Sequence, residues 1–105
     1  MAIPLTIKVF RGDTLVDTRR FEQDLIQIGK QSGHVDLLLT HADDVSRFHC
    51  AIQCDANGSV YVEDSGSAQG TFLNGQRIKR SPLAAGDEIL LGRITLRVES
   101  PGLNH

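Results

Sequence analysis

The chain has 105 residues, of which 40% are hydrophobic, and a formal net charge of −2. This length and composition predict one globular domain whose core is large enough to fold without disulfides. The weak negative charge and the lack of a strongly basic stretch argue against a nucleic-acid-binding role, and no apolar run reaches the roughly 20 residues of a membrane helix.

The chain begins with a strand pattern rather than with a targeting signal. Leu5, Ile7 and Val9 alternate with polar residues, which is typical of a half-buried strand. This segment lacks the long apolar core of a signal peptide. We therefore expect a cytoplasmic protein with no membrane partner.

Short strands follow one another along the whole chain. Alternating or short apolar patterns predict strands at residues 5–9, 25–28, 37–39, 50–54, 60–62, 89–91 and 94–98. Turn-forming sequences separate them at residues 11–13, 56–59, 74–75, 85–87 and 91–93. No helical stripe is present, so the predicted fold class is all-β: an antiparallel β-sandwich of many short strands, with ligand-binding loops at one end.

The predicted domain spans residues 1–99. Residues 100–105 contain Pro, Gly and Asn and are expected to form a tail or the start of a linker. A Met start followed by such a tail favours an N-terminal module of a longer chain with further domains, and a complete protein is the alternative.

The two cysteines are predicted to be reduced. Cys50 and Cys54 lie on the same face of one predicted strand, with Cα atoms about 13 Å apart at about 3.3 Å per residue. A disulfide needs Cα atoms closer than about 7 Å. We therefore expect two buried thiols.

Two predicted loops carry side chains that suit a phosphate group. A phosphate dianion is bound by a cation, a hydroxyl donor and backbone N–H groups. Lys30 supplies a cation, Ser46 a hydroxyl, and Arg47 a second cation or a backbone amide. One short predicted strand separates Lys30 from Ser46, which places both loops at the same end of the sandwich.

Four ordered segments together resemble the forkhead-associated (FHA) domain family. They are Gly-Lys at 29–30, Ser-Arg-Phe-His at 46–49, Asp-Ser-Gly-Ser-Ala-Gln-Gly-Thr-Phe-Leu-Asn-Gly at 64–75 and Gly-Asp-Glu-Ile-Leu-Leu-Gly at 86–92. The resemblance covers roughly residues 25 to 98. It implies a β-sandwich that binds threonine-phosphorylated proteins or peptides in Ser/Thr kinase signalling, with no cofactor and no chemistry of its own.

The resemblance also implies roles for individual residues. Lys30, in place of the family's Arg, and Ser46 would contact the phosphate, and Arg47 would contact phosphate or peptide. Ala68 stands where many relatives offer a hydroxyl to the peptide, and Gln69 takes the place of the Asn that holds the peptide backbone. The residues implied to support the site are Gly29, His49, Gly70, Thr71 and Asn74. Of these, His49 would brace one loop against the other, and Asn74 with Gly75 would form a hairpin turn.

Two alternatives compete with phosphopeptide binding. The changes at Lys30, Ala68 and Gln69 also fit a phospho-independent protein-interaction module on the same fold. His34 with Asp36, and His41 with Asp43 and Asp44, are of metal-ligand type, but their spacing matches no metal motif. We therefore predict no metal site, no catalytic residue and no enzymatic activity.

Overall fold

A computed structural model describes residues 4–40 and 42–99. Residues 100–105, predicted as a tail, and His41 lie outside the described residues. The described part of the chain contains strands and turns and no helix. The strands are β1 (Leu5–Arg11), β2 (Thr14–Phe21), β3 (Leu25–Gly29), β4 (Leu37–Leu38), β5 (Cys50–Cys54), β6 (Val60–Asp64), β7 (Thr71–Leu73), β8 (Gln76–Ile78), β9 (Arg80–Pro82), β10 (Glu88–Leu91) and β11 (Ile94–Glu99).

The strands form two sheets, which confirms the predicted all-β sandwich. One sheet has the order β2-β1-β11-β10-β7-β8, and the other has the order β4-β3-β5-β6-β9. One pair departs from the antiparallel prediction: β3 and β4 run parallel, with Ile28 opposite Leu37. They do so because residues 30–36 carry the chain back alongside β3 before β4 begins.

The core fills the space between the two sheets. Alternate residues of β1, β3, β5, β6, β10 and β11 point inward. The largest fully buried side chains include Ile7, Ile26, Ile28, Leu37, Ile52, Ile89, Leu91 and Leu96. Apolar burial of this kind is the main stabilising term of a small domain.

The cysteines follow their prediction in part. Both lie on β5 and neither forms a disulfide. Cys50 is buried in the core, as predicted, whereas Cys54 is only half-buried because it lies at the far end of the strand.

The strand register places the candidate ligand-binding loops at one end of the sandwich. Ile28 near the end of β3 pairs with Cys50 at the start of β5, and Cys50 pairs with Asp64 at the end of β6. Residues 30–36, 42–49 and 65–70 therefore emerge side by side. We call residues 42–49 the first loop and residues 65–70 the second loop.

Candidate functional site

The end of β3 is held tightly against the first loop. The backbone N–H of Lys30 donates to the carbonyl oxygen of Ser46 at 3.2 Å, and that of Gln31 donates to Arg47 at 3.2 Å. A Cβ on Gly29 would overlap the Arg47 carbonyl oxygen and stand 2.7 Å from its carbonyl carbon. Only glycine therefore permits this approach, which sets Lys30 beside Ser46.

The second loop is organised around the carboxylate of Asp64. It accepts the backbone N–H groups of Gly66 and Ser67 at 3.0 and 3.1 Å, the hydroxyl of Ser67 at 2.5 Å and that of Thr71 at 2.6 Å. Burial raises the pKa of Asp64, but the hydrogen bonds from Ser67, Thr71 and Gly66 outweigh it, and the net shift is downward. This carboxylate therefore holds the second loop in shape as an anion.

His49 links the two loops from inside the protein. It is fully buried, and its Nδ1 accepts the backbone N–H of Ser46 at 3.1 Å. Since Nδ1 is an acceptor, the ring proton lies on Nε2, which donates to the carbonyl oxygen of Gly70 at 2.8 Å. The carbonyl oxygen of His49 also accepts the N–H of Ser65 at 2.9 Å. These contacts place His49 in the bracing position that the resemblance implied.

Ser46 lies where the two loops meet. Its Oγ accepts the backbone N–H of Ala68 at 3.0 Å, and the structure records no acceptor for its own hydroxyl proton among the described residues. The ammonium of Lys30, on an exposed side chain, donates to the carbonyl oxygen of Asp43 at 3.4 Å. The remaining donors of Lys30 and the hydroxyl of Ser46 are therefore available to an anion.

Arg47 and Gln69 are both exposed on these loops. Gln69 lines a cavity of about 310 Å³, and Asp43, Asp44 and Arg93 also line it. Asp44 and Arg93, which both line this cavity, form an ion pair at 3.8 Å. The structure thus brings together Lys30, Ser46, Arg47, Ala68 and Gln69, with Gly29, His49, Gly70 and Thr71 beneath them.

Asn74 is not part of this assembly. Asn74 and Gly75 have φ angles of 50° and 88°, which confirms the predicted turn between β7 and β8. The Asn74 side chain bonds Asp87 and the N–H of Glu88 at the start of β10. The turn follows Leu73 at the end of β7, whereas the second loop precedes Thr71 at the start of β7. The turn therefore lies at the end of the sandwich opposite to the first and second loops.

Sequence reasoning overlooked the organising role of Asp64. An Asp side chain that accepts the backbone N–H groups two and three residues later is a known turn signal, and the sequence Asp-x-x-Ser contains it. It also overlooked Arg77, whose contact with Gly70 joins β8 to the second loop. That contact has no local signal, because it depends on how β7 and β8 pair.

His34 and His41 were weighed above as metal ligands and rejected, and His41 lies outside the described residues. No group of three or more His, Cys, Asp or Glu residues within residues 4–40 and 42–99 is arranged to hold a metal ion. His34 instead lies near the ring of Phe48, with 6.4 Å between ring centroids.

In the described part of the chain, no helix has the length and apolar character needed to cross a membrane.

A comparison with protein families identifies the same resemblance as the sequence motifs. The model of the FHA domain matches residues 26–92. Among curated proteins, the E3 ubiquitin-protein ligase DMA2 of Saccharomyces cerevisiae is 33% identical over 96 residues, which cover 85% of this chain and 18% of that protein. The chain spans about a fifth or less of the length of the curated relatives it matches first.

Solved structures share the fold over nearly the whole chain. An FHA domain studied for phosphothreonine-dependent FHA domain interactions superposes with a TM-score of 0.78 and 26% identity, covering 91% of this chain and 95% of that one. The FhaA FHA domain complexed with the intracellular domain of Rv3910 also gives a TM-score of 0.78 and 26% identity, covering 90% of this chain and 99% of that one.

Proposed function

The chain belongs to the FHA domain family, and we propose that it binds a phosphothreonine-containing segment of a partner protein at the loops around Ser46. One observation carries the proposal. The hydroxyl of Ser46 and the ammonium of Lys30 lie on neighbouring loops that backbone hydrogen bonds hold together. Lys30 is exposed and Ser46 is half-buried, and both keep donors for which the described residues record no acceptor.

The charge of the ligand suits these donors. A phosphothreonine carries about −1.5 to −2 charges near pH 7 and three acceptor oxygens. In this proposal Lys30 neutralises the phosphate, Ser46 donates a hydrogen bond to it, and Arg47 adds a second cation. Lys30 acts as a point charge, since an ammonium lacks the planar fork of the Arg usual in the family.

The second loop holds the rest of the peptide. Gln69 carries an amide that both donates and accepts, which suits the alternating groups of a peptide backbone. Ala68 offers no side-chain hydrogen bond, so its contribution is the shape of the loop and the backbone N–H that Ser46 accepts. His49, Gly29, Gly70 and Thr71 keep these groups in place.

The partner is a threonine-phosphorylated protein in Ser/Thr kinase signalling, and binding needs no cofactor. We place the module within residues 1–99, as one domain of a longer chain. Two cysteines that form no disulfide are in keeping with the reducing cytoplasm, which is the location we propose.

The test compares binding of a short phosphothreonine peptide pool by four variants, using fluorescence anisotropy. Lys30→Ala and Ser46→Ala should each weaken binding by about tenfold to a hundredfold, because a hydrogen bond to a charged group contributes about 1.5–3 kcal/mol. Lys8→Ala on β1 and Ser59→Ala at the opposite end are the matched controls and should bind as the unmodified chain does.

A phospho-independent interaction module is the competing function. The nearby carboxylates of Asp43 and Asp44 favour it, because they oppose the approach of a phosphate to Lys30. If the unphosphorylated pool binds equally well and both site variants match their controls, this second function replaces the first.

A further inference from the structure

Strand β2 is an open edge of the larger sheet. Within the described residues it pairs with β1 on one side and with no strand on the other. Its first seven residues are exposed, and Leu15 and Val16 keep 48% and 54% of their surface accessible. An exposed edge of this length is a template on which another extended chain can pair.

The backbone of Thr18 faces this open edge. In an antiparallel pair, successive residues turn their N–H and C=O groups alternately towards and away from the neighbouring strand. On β11, Val98 is hydrogen-bonded to the segment before β10, so its neighbour Arg97 faces Lys8 of β1. Lys8 therefore turns away from β2, and its partner Thr18 turns away from β1. The N–H of Thr18 bonds the carboxylate of Asp17 at 2.9 Å instead.

Asp17 and Arg19 flank Thr18 on the side of β2 that faces the core. They stand opposite Val9 and Ile7 of β1, and both of these residues are buried. The ion pairs recorded among the described residues engage neither Asp17 nor Arg19. Two opposite charges without an ion-pair partner therefore lie side by side along the open edge.

The order of these charges makes β2 complementary to a second copy of itself. In an antiparallel pair centred on Thr18 of both copies, Asp17 of each copy stands opposite Arg19 of the other. Since Asp17 and Arg19 turn their backbone groups towards β1, they form non-hydrogen-bonded pairs in the new ladder. The Cα atoms of such a pair are about 4.5 Å apart, which brings the side chains close. Opposite charges placed this way stabilise a strand pair.

The neighbouring registers do not fit. A shift of two residues sets Asp17 opposite its own copy in one direction and Arg19 opposite its own copy in the other, and like charges in this position are destabilising. A shift of one residue sets the backbone of Thr18 opposite groups that face away from it. Charged residues on the core side of an edge strand also deter pairing with most other strands. The edge therefore favours its own copy over an arbitrary strand.

We propose that this chain forms a two-fold symmetric homodimer by antiparallel pairing of β2 with β2 of a second copy, centred on Thr18. The register with β1 slips at Val16, which limits the new pairing to residues 16–20. On pairing, the N–H of Thr18 exchanges the Asp17 carboxylate for the carbonyl oxygen of Thr18 in the other copy. The released carboxylate then meets Arg19 of that copy.

The dimer carries two candidate sites that face in opposite directions. β2 begins opposite Arg11 at the end of β1, and Arg11 lines the same cavity as Asp43 of the first loop and Gln69 of the second. Because the two β2 strands are antiparallel, their starts lie at opposite ends of the joined sheet. The dimer does not depend on phosphothreonine binding, but it would let one assembly hold two separate partner molecules.

The first test is the association state of the full chain. Pairing over residues 16–20 involves far fewer than the about 20–30 residues a side of a standard interface, so we expect a weak dimer with a dissociation constant of about 0.1–1 mM. Sedimentation equilibrium across about 0.05–3 mM should show a monomer–dimer equilibrium. In a sample that mixes two isotope labels, NMR should detect an intermolecular contact between the Hα atoms of Asp17 and Arg19.

Charge reversal tests the register. Asp17→Arg and Arg19→Asp should each weaken association by about tenfold or more, because each sets like charges opposite one another in both symmetric pairs. The double variant restores opposite charges and should associate within about threefold of the unmodified chain. An equimolar mixture of the two single variants should form a heterodimer for the same reason. The matched control is Arg20→Asp, which stands opposite Val16 and should change association by less than about threefold.

Three results would overturn the proposal. The first is a chain that remains monomeric at about 3 mM. The second is association that Asp17→Arg leaves unchanged, since the contact would then lie on another surface. The third is a double variant that is folded, as judged by its amide NMR spectrum, and does not associate. None of these results bears on phosphothreonine binding, which the peptide titration measures separately.

Discussion

Ser46 and His49 are joined by a hydrogen bond of 3.1 Å from the backbone N–H of Ser46 to Nδ1 of the imidazole. This bond fixes the ring proton on Nε2, which then reaches Gly70 on the second loop. The residue implied to bind phosphate is therefore held by a buried side chain that also holds the opposite loop.

Replacing His49 should destabilise the whole domain. His49→Ala leaves a cavity and two backbone groups, the N–H of Ser46 and the C=O of Gly70, without their partners. We expect the free energy of unfolding to fall by about 2–4 kcal/mol in urea denaturation. His34→Ala, on an exposed loop, should change it by less than about 0.5 kcal/mol, and equal midpoints for the two variants would contradict the bracing role.

Gly29→Ala tests the close approach of β3 to the first loop. The added methyl group overlaps backbone atoms of Arg47, which cannot rotate away as a side chain would. We expect a loss of about 3 kcal/mol or more in the free energy of unfolding.

Gly33→Ala is the matched control for that substitution. A Cβ at Gly33 meets no atom within 4 Å, although its φ of 81° is strained for alanine. We expect a loss of about 1–2 kcal/mol from this backbone strain alone. A smaller loss at Gly29 than at Gly33 would contradict the close approach.

The sequence predicted the sandwich well because inward-facing apolar residues alternate on most strands. It failed for β2, because seven of its eight residues are exposed and only Phe21 is buried. As an edge strand it packs little into the core and shows no alternation. The short strands β7, β8 and β9 were missed as strands because three residues are too few for a period-two pattern.

For the candidate site, the sequence predicted only the features that lie within local motifs. The turn chemistry of Asn74 and Gly75 was correct, but a local pattern does not say at which end of the sandwich a turn lies. The approach of Gly29 to Arg47 and the contact of Gly70 with Arg77 join segments distant along the chain. Such contacts follow from strand register, which a single sequence does not specify.

Asp64 should make stability depend on pH in the acid range. Its pKa is lower in the folded state than in the unfolded chain, so it stabilises the fold above the unfolded pKa. That contribution is lost as pH falls below about 4 and through the folded pKa.

Asp64→Asn replaces one carboxylate oxygen with an NH2 donor, so either the backbone N–H groups of Gly66 and Ser67 or the hydroxyls of Ser67 and Thr71 lose their acceptor. Near pH 7 we expect it to lower the free energy of unfolding by about 1–2 kcal/mol. The difference from the unmodified chain should shrink at about pH 2.5 in urea titrations. Asp13→Asn, in the exposed turn between β1 and β2, is the control, and a difference for Asp64→Asn that does not change with pH would refute the assignment.

The two thiols should differ in reactivity. Burial, and then the charge of Asp64, raises the pKa of the Cys50 thiol well above its ordinary range. Since the thiolate is the reactive form, iodoacetamide should modify half-buried Cys54 before Cys50 in the folded chain. Mass spectrometry of peptides from folded and urea-unfolded protein tests this, and faster modification of Cys50 in the folded state would be inconsistent with its burial.

The central claim is that the loops around Ser46 bind phosphothreonine. The most direct measurement is an amide-resolved NMR titration with a phosphothreonine peptide pool, with the dephosphorylated pool as the control. We predict shifts confined to Lys30, Ser46, Arg47, Ala68 and Gln69 and their neighbours, and only with the phosphorylated pool. Equal shifts with both pools, or none with either at millimolar peptide, would contradict phosphate-dependent binding.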